Sequence, residues 1–290
     1  SDFPKLASSV SHIYGKPRSF SESFAAYRTR PTVTTGKWVI DQQFARGINL
    51  FEIMFFNSSA EGNDGLRGWM ASDSFPDLMR YTHRLSYLLS QGRPAAQIAV
   101  YLPTASMWMG DVQADSTTWS LAQELLEHQI DFDFVGEQAL SSDMELKNGE
   151  FRNLSGQSYK SVFIPSITAI SFKTLERLKE FSAKGGKVIF SGMEPSLIFN
   201  ETFMDAKKPS DMEWALHESS GKLTTKVLDV LPDPDVKLES FIPGIKYQHR
   251  KLKNGDLYFF FNEDKDKMNC KLSLKGEGRL FVFEPEDGNI

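Results

Sequence analysis

Lys16-Pro17-Arg18-Ser19-Phe20-Ser21-Glu22-Ser23-Phe24 is the stretch on which the fold turns. It reads as a short buried strand that ends on a carboxylate. Pro17 fixes the backbone at its start, and the small residues Ser21 and Ser23 leave room for a ligand beside Glu22. A carboxylate held among aromatic side chains is costly to ionise and can serve as a proton donor. A capping or surface glutamate is the plain alternative. The order of the elements around the stretch bears on the choice.

Working outward, Phe3 to Tyr14 has helical spacing of Leu6, Val10 and Ile13, with Gly15 as its stop. Thr34-Thr35-Gly36 offers a cap for a helix from about Lys37 to Arg46, which Gly47 ends. Ile48 to Phe56 is an almost continuous apolar run, the pattern of a parallel strand covered on both faces. These residues read helix, strand, helix, strand, a parallel β/α arrangement. Asn57 to Pro76 is a long loop after a strand end, with Trp69 reading as an exposed aromatic. Such loops carry function in α/β folds. Asp77 to Gln91 then forms a helix closed by Gly92.

A second series starts near Pro94. Strands at Ile98–Leu102, Ile130–Val135, Ser161–Pro165 and Lys187–Ser191 alternate with helices at Thr117–Gln129 and Ser171–Ala183. That alternation predicts a doubly wound α/β domain, flavodoxin-like or glutamine-amidotransferase-like, over 94–200. Residues 201–244 read as a connecting region with a short helix near Met212 to Ser219. From Ile245 the period changes to antiparallel β: strands at 245–252, 257–262, 268–274 and 279–284, with an Asn254-Gly255 hairpin turn. The fold class is therefore α/β. Units of a partial (β/α) barrel over 1–93 precede the doubly wound domain, and a small antiparallel region, a partial sandwich, closes the chain over 245–290.

Composition narrows the function. The chain has 290 residues, 40% hydrophobic and 24% charged, with a net charge of -5. An acidic chain without a Lys/Arg run argues against nucleic acid. The single cysteine, Cys270, excludes an internal disulfide and a thiolate zinc site. No apolar run reaches the roughly 18 residues of a membrane span. The loop after the first doubly wound strand lacks the glycine cluster of a dinucleotide site. No histidines are spaced as a metal pair, so neither metal nor cofactor is expected. Asn57 and Trp69 belong to a polar loop that on composition reads as solvated, and that also suits sugar hydroxyls and a ring face. Glu52 sits inside an apolar strand, where an unpaired carboxylate is costly. It points to a polar barrel end, or pairs with a cation such as Arg46. His12, close to the Glu22 strand, is a further candidate for the site.

The segments Ser9 to Pro17, Ser21 to Phe24 and Asp41 to Asn49 together resemble bacterial glycoside hydrolases of α-L-rhamnosidase family 106 and relatives. Arg80 to Gly92 and the stretch from His249 to Gly288 resemble them in the same order. The resemblance implies a fragment holding the last barrel units, with Glu22 as a catalytic acid or base at the barrel face. Its partner carboxylate is Glu52 or lies upstream of Ser1. It implies a carbohydrate substrate of the α-L-rhamnoside type in plant or microbial polysaccharide, and a periplasmic or extracellular bacterial location. An open barrel edge predicts self-association. The chain departs from the family pattern in lacking a histidine at Phe55-Phe56-Asn57, which leaves the sugar open. A non-catalytic carbohydrate-binding or scaffold module is the competing reading.

Overall fold

The computed structural model describes residues 2–25, 31–54, 69–209 and 212–289. The first units are α1 (Pro4–Ile13), β1 (Phe20–Ser23), α2 (Val33–Phe44), β2 (Leu50–Ile53) and α3 (Phe75–Leu88). Thr32 caps α2, its hydroxyl accepting from the Thr35 amide at 3.1 Å, so the helix begins a turn earlier than the Thr34-Thr35-Gly36 pattern suggests. β1 and β2 pair in parallel, with Phe20 opposite Leu50, Ser21 opposite Phe51, Glu22 opposite Glu52 and Ser23 opposite Ile53. One face of the pair is covered. Phe51 and Ile53 pack into an apolar cluster with Phe24, Ile40, Phe44, Trp69, Leu78, Tyr81 and Leu85, drawn mainly from α2 and α3. The other face is open. Phe20, Glu22, Leu50 and Glu52 are exposed, which corrects the expectation of a second strand buried on both sides.

After α3 the chain forms β3 (Arg93–Pro94) and then β4 (Ile98–Tyr101), α4 (Thr104–Trp108), α5 (Val112–Glu127) and β5 (Phe132–Val135). A small antiparallel meander follows: β6 (Glu145–Lys147), β7 (Glu150–Arg152) and β8 (Ser158–Tyr159). Next come β9 (Ser161–Pro165), β10 (Ala169–Ser171), α6 (Phe172–Ala183), β11 (Lys187–Ser191), β12 (Leu197–Phe199) and β13 (Leu216–Glu218). Five of these make one parallel sheet in the order β5-β4-β9-β11-β13. β10 and β12 make a separate parallel pair.

Alternation along the sheet strands divides their side chains between two cores. Ala99, Tyr101, Val162, Ile164, Val188 and Phe190 pack with Leu175, Leu178 and Phe181 of α6. Ile98, Val100, Phe132, Phe134, Phe163 and Ile189 pack with Leu121, Ala122 and Leu125 of α5. Both faces are thus covered, as parallel sheets require. The helix expected near Met212–Ser219 is not formed. Leu216, His217 and Glu218 instead pair with Ile189, Phe190 and Ser191, because the open edge of β11 offers backbone partners that a three-residue segment cannot supply to itself.

The C-terminal part holds β14 (Val236–Leu238), β15 (Ile245–Leu252), β16 (Gly255–Asn262) and β17 (Leu272–Leu274). β15 and β16 form the hairpin, and β15 also pairs with β3. Gly92, at φ +62°, allows that contact: a Cβ there would strike the Lys251 carbonyl. β14 pairs with β17. The strand expected over 279–284 is absent; only a Glu284–Asn289 bridge forms, and Leu280, Phe281 and Val282 stay exposed without a ladder partner among the described residues.

Buried polar contacts join these parts. Lys5 Nζ lies 2.7 Å from Asp131, and the Ser9 hydroxyl accepts from the Phe134 amide. Arg46 pairs with Asp2 and Glu263 at 2.8 and 2.6 Å, so it is not the partner of Glu52. Arg250 donates to the carbonyls of Gln91 and Gly92 beyond the end of α3.

Candidate active site

Parallel pairing brings together two of the residues singled out from the sequence. Glu22 and Glu52 are register partners on neighbouring strands, which lie about 4.8 Å apart. Side chains alternate along a strand, so Ser21 and Ser23 turn toward α2 while Glu22 turns away, and Phe51 and Ile53 turn toward the helices while Glu52 turns away. Both carboxylates therefore stand on the open face, one residue short of the ends of their strands. Phe20 and Leu50 lie on the same face toward the strand starts. Apart from the backbone ladder, no side-chain hydrogen bond or ion pair joins the Glu22 or Glu52 carboxylate to another described residue. Glu22 is solvent-exposed rather than enclosed by aromatic rings.

The covered side of β1 is tightly held. Gln43 Nε2 donates to Ser23 Oγ at 3.0 Å, and the Ser21 and Ser23 hydroxyls are 3.2 Å apart. Ser19 and Pro17 are tied down by Asn49, whose side chain accepts from the Ser19 amide and donates to the Pro17 carbonyl. Immediately after the strand, Phe24 adopts φ +75°, the left-handed region that bulky residues avoid. Its ring packs against Trp69 at 5.0 Å, and Trp69 meets Phe75 at 5.2 Å.

The other residues read from the sequence fall elsewhere. Trp69 is 4% exposed, so its ring is core and not the open sugar platform expected. The reason is Gly36: α2 presents no side chain there, and the indole fills the space a Cβ would take. His12 is also buried and does not join Glu22. Its Nδ1 donates to Asp133 Oδ1 at 2.8 Å, across the contact between α1 and β5. Asn57, with the polar loop around it, lies outside the described residues. Between α2 and α3, Asp41 accepts from Tyr81 at 2.7 Å and from Lys37 at 2.8 Å. Burial raises the Asp41 carboxyl above its usual range, against the opposing pull of Lys37 and Tyr81; burial and Asp41 in turn raise the Tyr81 phenol.

Among the described residues no group of three or more His, Cys, Asp or Glu is placed to hold a metal ion. No described helix is long and apolar enough to cross a membrane. A cavity of about 450 Å³ opens away from the two glutamates, lined by Ile98, Ile130, Leu231, Val236, Phe241 and Tyr247 among others.

Two carboxylates within reach of one sugar are the groups that glycoside hydrolysis uses. Comparison with known proteins gives the family. Residues 4–290 match the model of glycoside hydrolase family 106, described as alpha-L-rhamnosidase. The chain belongs to that family. A putative beta-glucuronidase of Formosa agariphila is 27% identical over 318 aligned positions, covering 100% of this chain and 26% of the relative. The rhamnosidase structure from Novosphingobium sp. PP1Y superposes with a TM-score of 0.62 at 18% identity, over 90% of this chain and 27% of that one. A catalytic mutant of Gan42B, a GH42 beta-galactosidase from G. stearothermophilus, gives 0.58 at 15% identity, over 94% and 51%. At these identities the two structures show a shared fold. This family 106 chain spans about a quarter of the length of the first two relatives.

Proposed function

We propose that this chain forms the part of a family 106 glycoside hydrolase that carries Glu22 as general acid or base, acting on α-L-rhamnoside-type linkages in plant or microbial polysaccharide. The observation that carries the reading is the register of β1 and β2, which sets Glu22 and Glu52 side by side on the face opposite the helices. In such chemistry one carboxyl protonates the departing glycosidic oxygen as the C–O bond breaks. A second carboxylate acts on the opposite side of the sugar as base or nucleophile, and the spacing of the two decides the stereochemical outcome. Glu52 serves here as a substrate contact or as that second group.

The β/α units carrying both glutamates are read as the end of a (β/α) barrel. The five-stranded sheet is read as flavodoxin-like, supported by its order: the second strand in sequence lies beside the first, followed by the third, fourth and fifth. A periplasmic or extracellular location, and self-association through an open barrel edge, belong to the same reading.

The test is Glu22→Gln in the natural protein carrying this chain. Turnover of an aryl α-L-rhamnoside is compared with that of an aryl β-glucuronide and an aryl galactoside. Loss of about 10²–10⁴-fold in kcat, with sugar binding retained, is the expected result. Unchanged turnover removes Glu22 from the mechanism. Binding without turnover in both proteins favours a non-catalytic carbohydrate-binding module.

A further inference from the structure

Bulky residues rarely hold a positive φ, and where they do the surrounding structure must over-determine it, most often at functional sites. Phe24 is such a residue, at φ +75°, two positions after Glu22. It is 3% exposed, and its ring is lodged on the equally buried Trp69. One position earlier Ser23, also buried, receives the hydrogen bond from Gln43 of α2 at 3.0 Å and passes it on toward Ser21 at 3.2 Å. Glu22 therefore sits between two serines fixed from beneath and a phenylalanine wedged beyond it, while its own side chain has no partner among the described residues. The strand end is held by everything except the carboxylate.

We propose that Gln43 is a positioning residue for Glu22: it sets the height and twist of β1 through Ser23, at a strand end that the buried, positive-φ Phe24 closes one residue further on. The proposal rests on the reading of Glu22 as a catalytic group. A freely rotating glutamate on a loosely held strand would reach the glycosidic oxygen in only a fraction of its conformations. Misplacement of a reacting group by about 1 Å costs on the order of 10²-fold in rate. Removing the Gln43 bond leaves the Ser23 hydroxyl buried with only Ser21 as partner, and that freedom is transmitted to the neighbouring Glu22.

The experiment compares Gln43→Leu, Ser23→Ala, the Gln43→Leu/Ser23→Ala double variant and Glu22→Gln in the natural protein, with kcat, KM and the pH–rate profile measured on an aryl α-L-rhamnoside, and Tm beside them. Gln43→Leu is expected to lower kcat about 10- to 100-fold with KM within about twofold. The double variant should lose no more kcat than Gln43→Leu alone, because both changes break the same Gln43–Ser23 bond. Displacement of the acid or base limb of the pH profile in Gln43→Leu would mark an effect on Glu22 rather than on general stability. If Glu22→Gln is inactive while Gln43→Leu retains kcat within twofold, the positioning role is overturned and the catalytic one stands. If Glu22→Gln is fully active, the catalytic reading falls and takes this proposal with it. Additive losses in the double variant, with unshifted pH limbs and a lowered Tm, assign Gln43 to stability alone and also overturn the proposal.

Discussion

Replacing Asp133 by leucine should be among the most damaging single changes in the chain, and the structure gives the size of the effect. Asp133 is wholly buried on β5. Its Oδ1 accepts from His12 at 2.8 Å, and its Oδ2 accepts from Gln157 at 2.8 Å and Tyr159 at 2.9 Å. Leucine fills much the same volume and accepts nothing, so three buried donors lose this acceptor at once, and of them Gln157 Nε2 keeps the Ala96 carbonyl. Each orphaned donor costs about 1–3 kcal/mol, and breaking a buried charged pair from one side about 3–5 kcal/mol. We take roughly 4 kcal/mol. At about 2–4 °C per kcal/mol for a chain of this order of size, Tm falls by roughly 8–16 °C. Asp133→Asn should be milder. Its oxygen can keep Gln157 and Tyr159, and its amide can donate to His12 in the other tautomer.

Acid gives a second readout. Burial pushes the Asp133 carboxyl up, but His12, the Lys5 charge and the Gln157 hydrogen bond outweigh it and hold it well below the usual carboxylate range. A carboxyl lowered in the folded state stabilises above its unfolded value, about 3.9, and loses that contribution as pH falls toward the folded value. The Tm gap between wild type and Asp133→Asn should therefore be larger at pH 7 than at pH 3, measured by differential scanning calorimetry. A leucine variant within about 2 °C of wild type would refute the reasoning. So would a gap to the asparagine variant that widens on acidification.

Gly36→Ala drives a methyl group into the Trp69 ring and should cost about 1–3 kcal/mol, with a shift in near-ultraviolet circular dichroism from the displaced indole. An unchanged aromatic spectrum would mean that α2 and Trp69 separate without strain. Arg250→Met leaves the carbonyls of Gln91 and Gly92 without the guanidinium that caps them and should cost roughly 2–4 kcal/mol. Hydrogen exchange should rise first over the last turn of α3 and over β3; uniform loosening elsewhere would contradict it.

The sequence is legible where hydrophobic period and local chemistry act over a few residues. The helices at 4–13 and 172–183 and the strands at 98–101 and 187–191 follow from spacing and stops, whereas the helix expected at 117–129 starts at Val112, capped by Asp111. Contacts between distant residues leave no such trace. His12 reads as a neighbour of Glu22 because only ten positions separate them, yet its partner Asp133 is 121 positions away. Trp69 reads as exposed because its loop is polar, while the vacancy that buries it is created by a glycine in another helix. β13 has three residues and no period of its own, and exists because β11 would otherwise end the sheet with unpaired backbone.

The pairing of Glu22 with Glu52 falls between these cases. A near-continuous apolar run hides the alternation of Leu50-Phe51-Glu52-Ile53, so the run reads as buried on both sides. Parallel register then does what composition cannot. Two polar side chains that face away from α2 and α3 must share one face, because each strand's neighbouring side chains, Ser21 and Ser23 on one and Phe51 and Ile53 on the other, are committed to the helices. The helices thereby decide the orientation of carboxylates they never touch. A one-residue slip of β2 would send Glu52 into the cluster around Phe44 and Phe51, at the cost of an unpaired buried carboxylate. The apolar packing beneath the sheet is therefore what keeps the two glutamates together above it.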